Sequence, residues 1–178
     1  MWTKKLNLGC GRNIKQGWVN LDCTALPGVD VVHNVEKLPL PFGDGEFDEI
    51  RCDNILEHVE YIPVLKELYR ILKPGGCLKI RVPHFTSRNN YVDPTHKKLF
   101  SISMFEFFVE NSSNDYYFDF HFTRINRRRI KFMKKGFHWP NRLIEPLVNL
   151  SEKTQILYET TCFSRFFPAN DIFIEMNR

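Results

Sequence analysis

Short apolar segments alternate with polar, glycine-containing connections along the first half of the chain. Within each segment apolar side chains either dominate or alternate with polar ones, and that pattern predicts a β-strand. By this criterion, strands are predicted at 5–8, 18–22, 29–32, 47–52 and 77–83.

A helix is predicted between the fourth and fifth of these strands. Ile62, Leu65, Leu68 and Leu72 recur every three or four residues, which is the period of one buried helical face. The segment 73–76, Lys-Pro-Gly-Gly, then ends the helix, because proline cannot continue it and glycine readily takes positive φ. Strands separated by a helix indicate a parallel sheet and therefore a doubly wound α/β domain.

The connections between the first strands are unusually short. Only the ten residues from Gly9 to Trp18 lie between Leu8 of the first strand and Val19 of the second. This length is close to the minimum for a βαβ connection. One or two helical turns are therefore expected there. The segment 38–45 is too rich in proline and glycine for a full helix. We accordingly predict an abbreviated helical layer on one side of the sheet.

The second half of the chain is patterned less regularly. It contains no linker, internal repeat or low-complexity segment, so we predict a single domain, 1–178, with an insertion at about 84–155. The elements predicted in this half are a helix at 101–110, a strand at 116–124, a helix at 140–150 and a final strand at 173–176.

Composition and cysteine usage indicate an ordinary globular protein. Hydrophobic residues make up 43% of the chain, which is enough for one core, and no apolar run is long enough to span a membrane. The first residues do not resemble a signal peptide, so a cytoplasmic location is the default expectation. The five cysteines include no Cys-x-x-Cys pair, and neither a zinc site nor any other metal site is predicted.

The net charge of +4 is concentrated in one place. Seven of the twelve residues from 124 to 135 are basic, and we call this segment the basic cluster. It could attract phosphates, nucleic acid or an anionic membrane, or it could simply be a solvated face.

Candidate binding residues lie at the predicted strand ends. In an open parallel sheet, ligands bind outside the carboxyl ends of the strands. The first strand ends in Gly9-Cys10-Gly11, where small side chains admit a ligand, and the second ends in Asp22, which can accept hydrogen bonds from ribose hydroxyls. The third glycine of a dinucleotide fingerprint is missing, since 12–14 reads Arg-Asn-Ile. This favours an adenosyl ligand without phosphates over NAD.

Two consecutive segments then make a family recognisable. Residues 6–11 (LNLGCG) and 17–22 (GWVNLD) resemble the opening motifs of class I S-adenosylmethionine-dependent methyltransferases, and more specifically the small type 11 methyltransferase-domain subgroup. The resemblance extends over roughly residues 5–85. Further matching segments, in the same order, are 34–39 (NVEKLP), 47–50 (FDEI), 56–58 (LEH) and 72–76 (LKPGG).

The resemblance implies a cofactor site and a sheet topology. Its cofactor would be S-adenosylmethionine, with S-adenosylhomocysteine as the product. The implied contacts are Gly9, Cys10 and Gly11 with the methionine part and ribose, Asp22 with the ribose hydroxyls, Asn34 and Val35 with adenine, and Asp53 and Asn54 near the methionine part and the transferable methyl. The implied fold is a Rossmann-like seven-stranded, mostly parallel sheet with its last strand antiparallel, in three α/β/α layers, whose final strand pair would come from 158–176.

Catalytic residues are predicted from position alone. Methyl transfer is an in-line displacement, so a base is needed only if the acceptor must lose a proton. His84, just after the fifth strand, is one candidate, and the pair Asp93 and His96 is another. The segment 93–96 could instead be only a turn in which Asp93 bonds nearby amides. For His58 a structural hydrogen bond is the preferred interpretation.

The leading hypothesis is therefore a methyltransferase that acts on a small-molecule or saccharide acceptor held by the insertion. Alternatives are a nicotinamide-dependent oxidoreductase, a non-catalytic adenosyl-binding module, and a nucleic-acid methyltransferase that uses the basic cluster. The helix at 140–150, next to Trp139, could contact a membrane surface or form a dimer contact. The oligomeric expectation is a monomer or a homodimer.

Overall fold

The structure is a computed structural model that describes residues 3–134 and 138–178. Seven strands form one sheet: β1 (Lys5–Leu8), β2 (Val19–Asp22), β3 (Val31–Val32), β4 (Phe47–Asp53), β5 (Leu72–Pro83), β6 (Arg124–Lys131) and β7 (Asp171–Asn177). Their order in the sheet is β3-β2-β1-β4-β5-β7-β6. Strands β1 to β5 pair in parallel, and β7 is antiparallel to both β5 and β6. The predicted Rossmann-like, mostly parallel sheet with an antiparallel last strand is confirmed.

Five α-helices accompany the sheet in the described residues: α1 (Tyr61–Ile71), α2 (Asn89–Val92), α3 (Asn141–Val148), α4 (Glu152–Thr160) and α5 (Phe163–Phe166). The predicted helix between the fourth and fifth strands is α1. It buries Val64, Leu65, Leu68 and Ile71 and passes directly into β5. The helix predicted at 140–150 is α3, whereas the one predicted at 101–110 is a shorter 3-10 helix, Met104–Phe108.

The connection between β1 and β2 contains turns but no helix, although the structure describes all of its residues. The prediction of one or two helical turns in this connection is therefore wrong. Two buried asparagines explain the difference. Asn20 accepts from the backbone N–H of Lys15 and donates to the carbonyls of Lys15 and Trp18, while Asn7 donates to the carbonyl of Asn13. These side chains provide the hydrogen bonds that a helix would otherwise supply.

The two faces of the sheet differ in polarity. One face is apolar and fully buried, as at Ile50, Ile80 and Ile174. The other face presents half-exposed charged residues that pair across strands, and Glu49 of β4 contacts both Lys5 and Lys79. Parallel sheets are usually covered by helices on both sides. The half-exposed charged face is therefore the side of the sheet on which the helical layer is abbreviated.

The sixth strand lies inside the basic cluster, where we predicted none. The strand predicted at 116–124 is wrong: a 3-10 helix, Asp115–Tyr117, occupies its beginning, and Phe120 and Phe122 are buried beside α1. The expectation that 158–176 supplies both final strands is also wrong, since it supplies only β7. Because β6 contains a run of arginines, its sequence does not show the apolar pattern of a strand. Its buried residue is Ile130, which pairs with Ile172 of β7. Lys135, the last residue of the basic cluster, lies outside the described residues.

The helices α3 to α5 expose apolar side chains on the surface. Leu143, Leu147 and Leu150 are exposed in or next to α3, and Leu157 and Phe163 are exposed on α4 and α5. Within the described ranges there is no helix with the length and apolar character needed to cross a membrane. The membrane-contact and dimer-contact alternatives would act at this apolar surface.

Candidate active site

Two cavities open beside the carboxyl ends of the parallel strands, and His58 lines both of them. The first, the strand-end cavity, has a volume of about 350 Å³. The second, the Glu57 cavity, has a volume of about 300 Å³. The strand-end cavity is lined by Gly9, Asp22, Cys23, Asn34, Val35, Glu36, Ile55, His58 and Val59. The Glu57 cavity is lined by Asn54, Glu57, His58, Pro83, Asn89, Val92, Asp93 and His96.

The glycine loop after β1 shapes the floor of the strand-end cavity. Gly9 and Gly11 both have positive φ, +60° and +49°, which non-glycine residues rarely adopt. A Cβ on Gly9 would approach Ile55 Cδ1 to 1.9 Å, so the close approach here is made by a side chain of the same protein. A Cβ on Gly11 would meet no atom of the described residues within 4 Å. The loop is thus open at Gly11 and closed by Ile55 at Gly9.

Asp22 connects β2 to the glycine loop. Its Oδ2 accepts from the backbone N–H of Gly11 at 2.7 Å, and its Oδ1 accepts from the backbone N–H of Thr24 at 2.9 Å. No pattern in the sequence indicated this structural role. A carboxylate has about four acceptor positions. Asp22 therefore has acceptor capacity left on the wall of the strand-end cavity.

Asn34 and Val35 form another part of this wall. The side-chain oxygen of Asn34 accepts from the backbone N–H of Glu36 at 2.9 Å, which fixes the side chain in a local turn. Val35 is buried against the core. The structure thus brings together four of the residues predicted to contact the cofactor, Gly9, Asp22, Asn34 and Val35.

Three further predicted cofactor residues, Cys10, Asp53 and Asn54, do not line the strand-end cavity in the described structure. The side chain of Cys10 is buried in the core, and burial together with the neighbouring Asp22 raises the pKa of its thiol. Asp53 forms an ion pair with Arg51 at 2.6 Å and, in the described structure, lines neither cavity. Asn54 lines the Glu57 cavity, next to the strand-end cavity.

His84 lies away from both cavities. Its ring is fully buried, with Nδ1 2.7 Å from Thr86 Oγ1 and Nε2 3.0 Å from Glu159 Oε1. In the described part of the chain it contributes to the lining of neither cavity. These contacts link the end of β5 to α4, and a catalytic role for His84 stays a prediction.

Glu57 is the residue that sequence reasoning missed. It follows Leu56 in a 3-10 helix, Leu56–His58, and is fully buried. Neither of its carboxylate oxygens has a hydrogen-bond partner among the described residues. Burial raises the pKa of Glu57 to about 7. The matching segment 56–58 indicated its position, but only the structure reveals that this acid is buried and unpaired.

Asp93, Thr95 and His58 form a chain of hydrogen bonds at the mouth of the Glu57 cavity. The Thr95 hydroxyl donates to Asp93 Oδ1 at 2.6 Å, and His58 Nδ1 lies 2.8 Å from Thr95 Oγ1. Hydrogen bonds from Thr95 lower the pKa of Asp93. The turn predicted as the alternative for 93–96 is therefore present, and it also orients His58.

His96 completes the group. Its ring stacks edge-on against His58 with the centroids 4.6 Å apart, and its Nδ1 is buried without a partner in the described structure. Burial and the proximity of His58 lower the pKa of His96. One ligand atom each from Glu57, His58 and His96 lies within 4.8 Å of the others. The Glu57 cavity thus contains two imidazoles and a carboxyl group that face one another.

Comparison with known proteins gives the first half of the chain a family. Residues 6–80 match the family profile described as "Methyltransferase domain", in its type 11 form. A demethylmenaquinone methyltransferase of Listeria welshimeri is 33% identical over 102 residues, covering 48% of this chain and 43% of that protein. An uncharacterised protein of Methanocaldococcus jannaschii is 51% identical over 45 residues, which are 25% of this chain and 20% of that protein. The chain thus spans less than half the length of these curated relatives.

The fold is shared with solved methyltransferases over nearly the whole chain. A SAM-dependent methyltransferase from Archaeoglobus fulgidus superposes with a TM-score of 0.62 at 19% identity, covering 99% of this chain and 86% of that one. At this identity the likeness concerns the fold alone. Residues 6–80 thus match the type 11 methyltransferase domain, and the chain as a whole has the fold of solved S-adenosylmethionine-dependent methyltransferases.

Proposed function

We propose that this chain transfers a methyl group from S-adenosylmethionine, bound in the strand-end cavity, to a small-molecule acceptor in the Glu57 cavity. The observation that carries the proposal is the shared wall at His58. A ligand in each cavity would meet its neighbour there, so the methyl donor and its acceptor would be held at near-attack distance.

The donors and acceptors on the wall of the strand-end cavity support binding of the cofactor there. Asp22 offers its remaining acceptor positions to the ribose hydroxyls, while Asn34 and Val35 would contact adenine. The backbone of Gly9, Cys10 and Gly11 would contact the methionine part and the ribose. Asp53 and Asn54, at the end of β4 and just after it, would lie near the methionine part and the transferable methyl, with Asn54 on the side of the acceptor.

The reaction is a displacement at the sulfonium methyl. The bond from sulfur to methyl carbon breaks as a bond forms from that carbon to the acceptor atom, and S-adenosylhomocysteine leaves. A hydroxyl acceptor also releases one proton, which passes to solvent. His96 and Asp93 lie at the Glu57 cavity, whereas the buried His84 is left out of the proposed mechanism.

Small acceptors are favoured over nucleic acid because much of the basic cluster is neutralised. Arg127 pairs with Glu175, and Arg128 pairs with both Glu106 and Glu152. Lys131 and Lys134 pair with Glu145. Cations already paired within the protein contribute less to phosphate binding. A saccharide or a hydroxylated ring, such as the reduced hydroquinone form of a quinone like that in the name of the Listeria relative, is therefore the class of acceptor to screen.

The proposal is tested by calorimetric titration with S-adenosylhomocysteine and, separately, with NAD. We expect binding of S-adenosylhomocysteine and none of NAD. Asp22→Asn should weaken binding about tenfold or more, since ribose hydrogen bonds to a charged acceptor contribute about 1.5–3 kcal/mol. The matched control is Asp44→Asn, which removes the same charge from a turn where that side chain is 82% exposed.

Turnover separates an enzyme from a binding module. A panel of saccharides and hydroxylated rings is incubated with S-adenosylmethionine, and formation of S-adenosylhomocysteine is measured. Binding of NAD alone would contradict the methyltransferase proposal. Binding of the adenosyl cofactor without turnover on any acceptor would favour the non-catalytic module.

A further inference from the structure

We propose that Glu57, His58 and His96 bind a divalent transition-metal cation in the Glu57 cavity, and that this cation binds the oxygen of the acceptor. The inference deepens the proposed function and rests on it only for the role of the cation. The three ligand atoms lie within 4.8 Å of one another, a spacing that a small inward movement turns into a coordination sphere. Two imidazoles and one carboxylate are typical ligands of Zn²⁺ and Fe²⁺.

The unpaired carboxyl of Glu57 is the first argument for a cation. The side chain is fully buried, and both of its oxygens lack a hydrogen-bond partner among the described residues. A buried carboxylate without a partner is strongly destabilising, so such groups are paired or coordinate metals. Glu57 also lines the Glu57 cavity, so its carboxyl group is next to the space where the cation would bind.

The second argument is the proton on His58. Because the Thr95 hydroxyl donates its only hydrogen to Asp93 Oδ1, Thr95 Oγ1 can only accept from His58 Nδ1. The hydrogen of the neutral ring is then on Nδ1, and the lone pair is on Nε2. A second hydrogen bond of this kind is the usual way in which proteins orient a metal-binding histidine. Asp93 and Thr95 are therefore positioning residues for His58.

The third argument is the buried nitrogen of His96. Its side chain is only 6% exposed, and its Nδ1 has no partner in the described part of the chain. Asp93 Oδ2 lies 3.8 Å from the other ring nitrogen, Nε2, which is too far for a hydrogen bond. A cation here would give a partner to His96 Nδ1 and to the Glu57 carboxyl group, and it would use the lone pair on His58 Nε2.

The position of the cation suggests the chemistry of the acceptor. With three protein ligands, a cation keeps coordination positions for other oxygens, and Asn54 and Asp93 line the same cavity. A bound hydroxyl would lose its proton to solvent more readily, because a cation lowers the pKa of a bound oxygen acid. The acceptor oxygen would then attack the methyl carbon beside His58. Acceptors with two neighbouring oxygens, such as vicinal diols or ring hydroxyls next to a carbonyl, fit this site best.

Cobalt provides a direct test because Co²⁺ is a spectroscopic substitute for Zn²⁺ and Fe²⁺. The full chain is treated with a chelator, dialysed and titrated with Co²⁺, and the visible absorption bands and the stoichiometry are recorded. We expect one equivalent to bind with bands of a nitrogen and oxygen site. His58→Gln and His96→Gln should each lower the affinity at least about tenfold, and so should Glu57→Gln. The control is His33→Gln, a histidine that lines neither cavity in the described structure.

The outcomes separate this inference from the proposed function. Absence of stoichiometric cobalt binding, or full binding by the folded double variant H58Q/H96Q, would overturn the metal site. A sulfur-to-cobalt band would do the same by assigning the ion to a cysteine. The calorimetric titration with S-adenosylhomocysteine is repeated in chelator: retained binding there leaves the cofactor assignment intact even if the metal site fails.

Discussion

The side chain of Ile55 lies directly over Gly9, so that a Cβ on Gly9 would come within 1.9 Å of Ile55 Cδ1. Gly9 directly follows β1, and Ile55 follows β4 immediately before the 3-10 helix that contains Glu57 and His58. Because β1 and β4 are adjacent in the sheet, this contact joins the glycine loop to the histidine segment. The wall shared by the two cavities therefore depends on the absence of a side chain at position 9.

The first prediction concerns this contact. Gly9→Ala should destabilise the fold by about 2–5 kcal/mol, since left-handed backbone costs about 1–2 kcal/mol and overpacking about 1–3 kcal/mol. Ile55→Ala added to it should recover the overpacking part only. Urea denaturation of the two single variants and the double variant measures this coupling. Strict additivity of the two substitutions would mean that Ile55 does not restrict position 9.

The second prediction concerns the loop between β1 and β2. Asn20→Ala removes hydrogen bonds to the backbone of Lys15 and Trp18 and should cost about 2–4 kcal/mol, because these groups are left unpaired. Affinity for S-adenosylhomocysteine should fall as well, since the loop contains Gly11. The control Asn126→Ala, on the exposed edge of β6, should change the free energy of unfolding by less than about 0.5 kcal/mol. Equal stability of the two variants in urea would refute the bridging role of Asn20.

Sequence reasoning predicted the elements whose apolar residues follow a local periodic pattern. The parallel strands and α1 were predictable because their apolar residues recur with a regular period. Strand β6 was not, because five of its eight residues are basic and the apolar residues that show its pattern are few. Strand pairing over long separations decides such a segment, and here β7 provides the partner.

The residues of the candidate site also include some that could be predicted from the sequence and some that could not. Asp22 was predictable because strand ends meet at one edge of a parallel sheet, whereas Asn34 was predicted only through the resemblance to the methyltransferase family. The group of Glu57, His58 and His96 was not, because His96 reaches the others through a loop whose path no periodicity encodes. The burial of Glu57 is equally a tertiary property. His84 follows a strand as a catalytic residue would, yet the packing of α4 encloses it.

The third prediction concerns the orientation of His58. Thr95→Val removes the hydroxyl but preserves the shape of the side chain, so His58 Nδ1 loses its acceptor. In the wild type, the neutral ring should be the Nδ1–H tautomer, and in the variant the Nε2–H tautomer should appear. Long-range ¹H–¹⁵N correlation spectra of the histidine rings distinguish the two forms. Thr95→Ser, which keeps the hydroxyl, should behave like the wild type, and a wild-type Nε2–H tautomer would disprove the hydrogen-bond chain.

The last prediction concerns alkaline pH and Tyr158 on α4. Burial raises the pKa of Tyr158 to about 12, above an ordinary value of 10, and its hydroxyl donates to the carbonyl of Phe167 at 2.8 Å. Between these two pKa values the unfolded chain has lost the phenolic proton while the folded chain retains it. The folded state binds more protons there, so the free energy of unfolding falls as the pH rises from about 10 to 12, by up to about 2–3 kcal/mol.

Tyr158→Phe tests this loss, because phenylalanine keeps the ring and has no proton to lose. The variant should be less stable than the wild type at neutral pH, where the hydrogen bond to Phe167 is missing. The difference should shrink above pH 10, as the wild type alone pays for keeping Tyr158 protonated. Urea titrations of both proteins at several pH values from neutral to strongly alkaline measure it. Parallel stability curves would mean that Tyr158 titrates with its ordinary pKa in the folded protein.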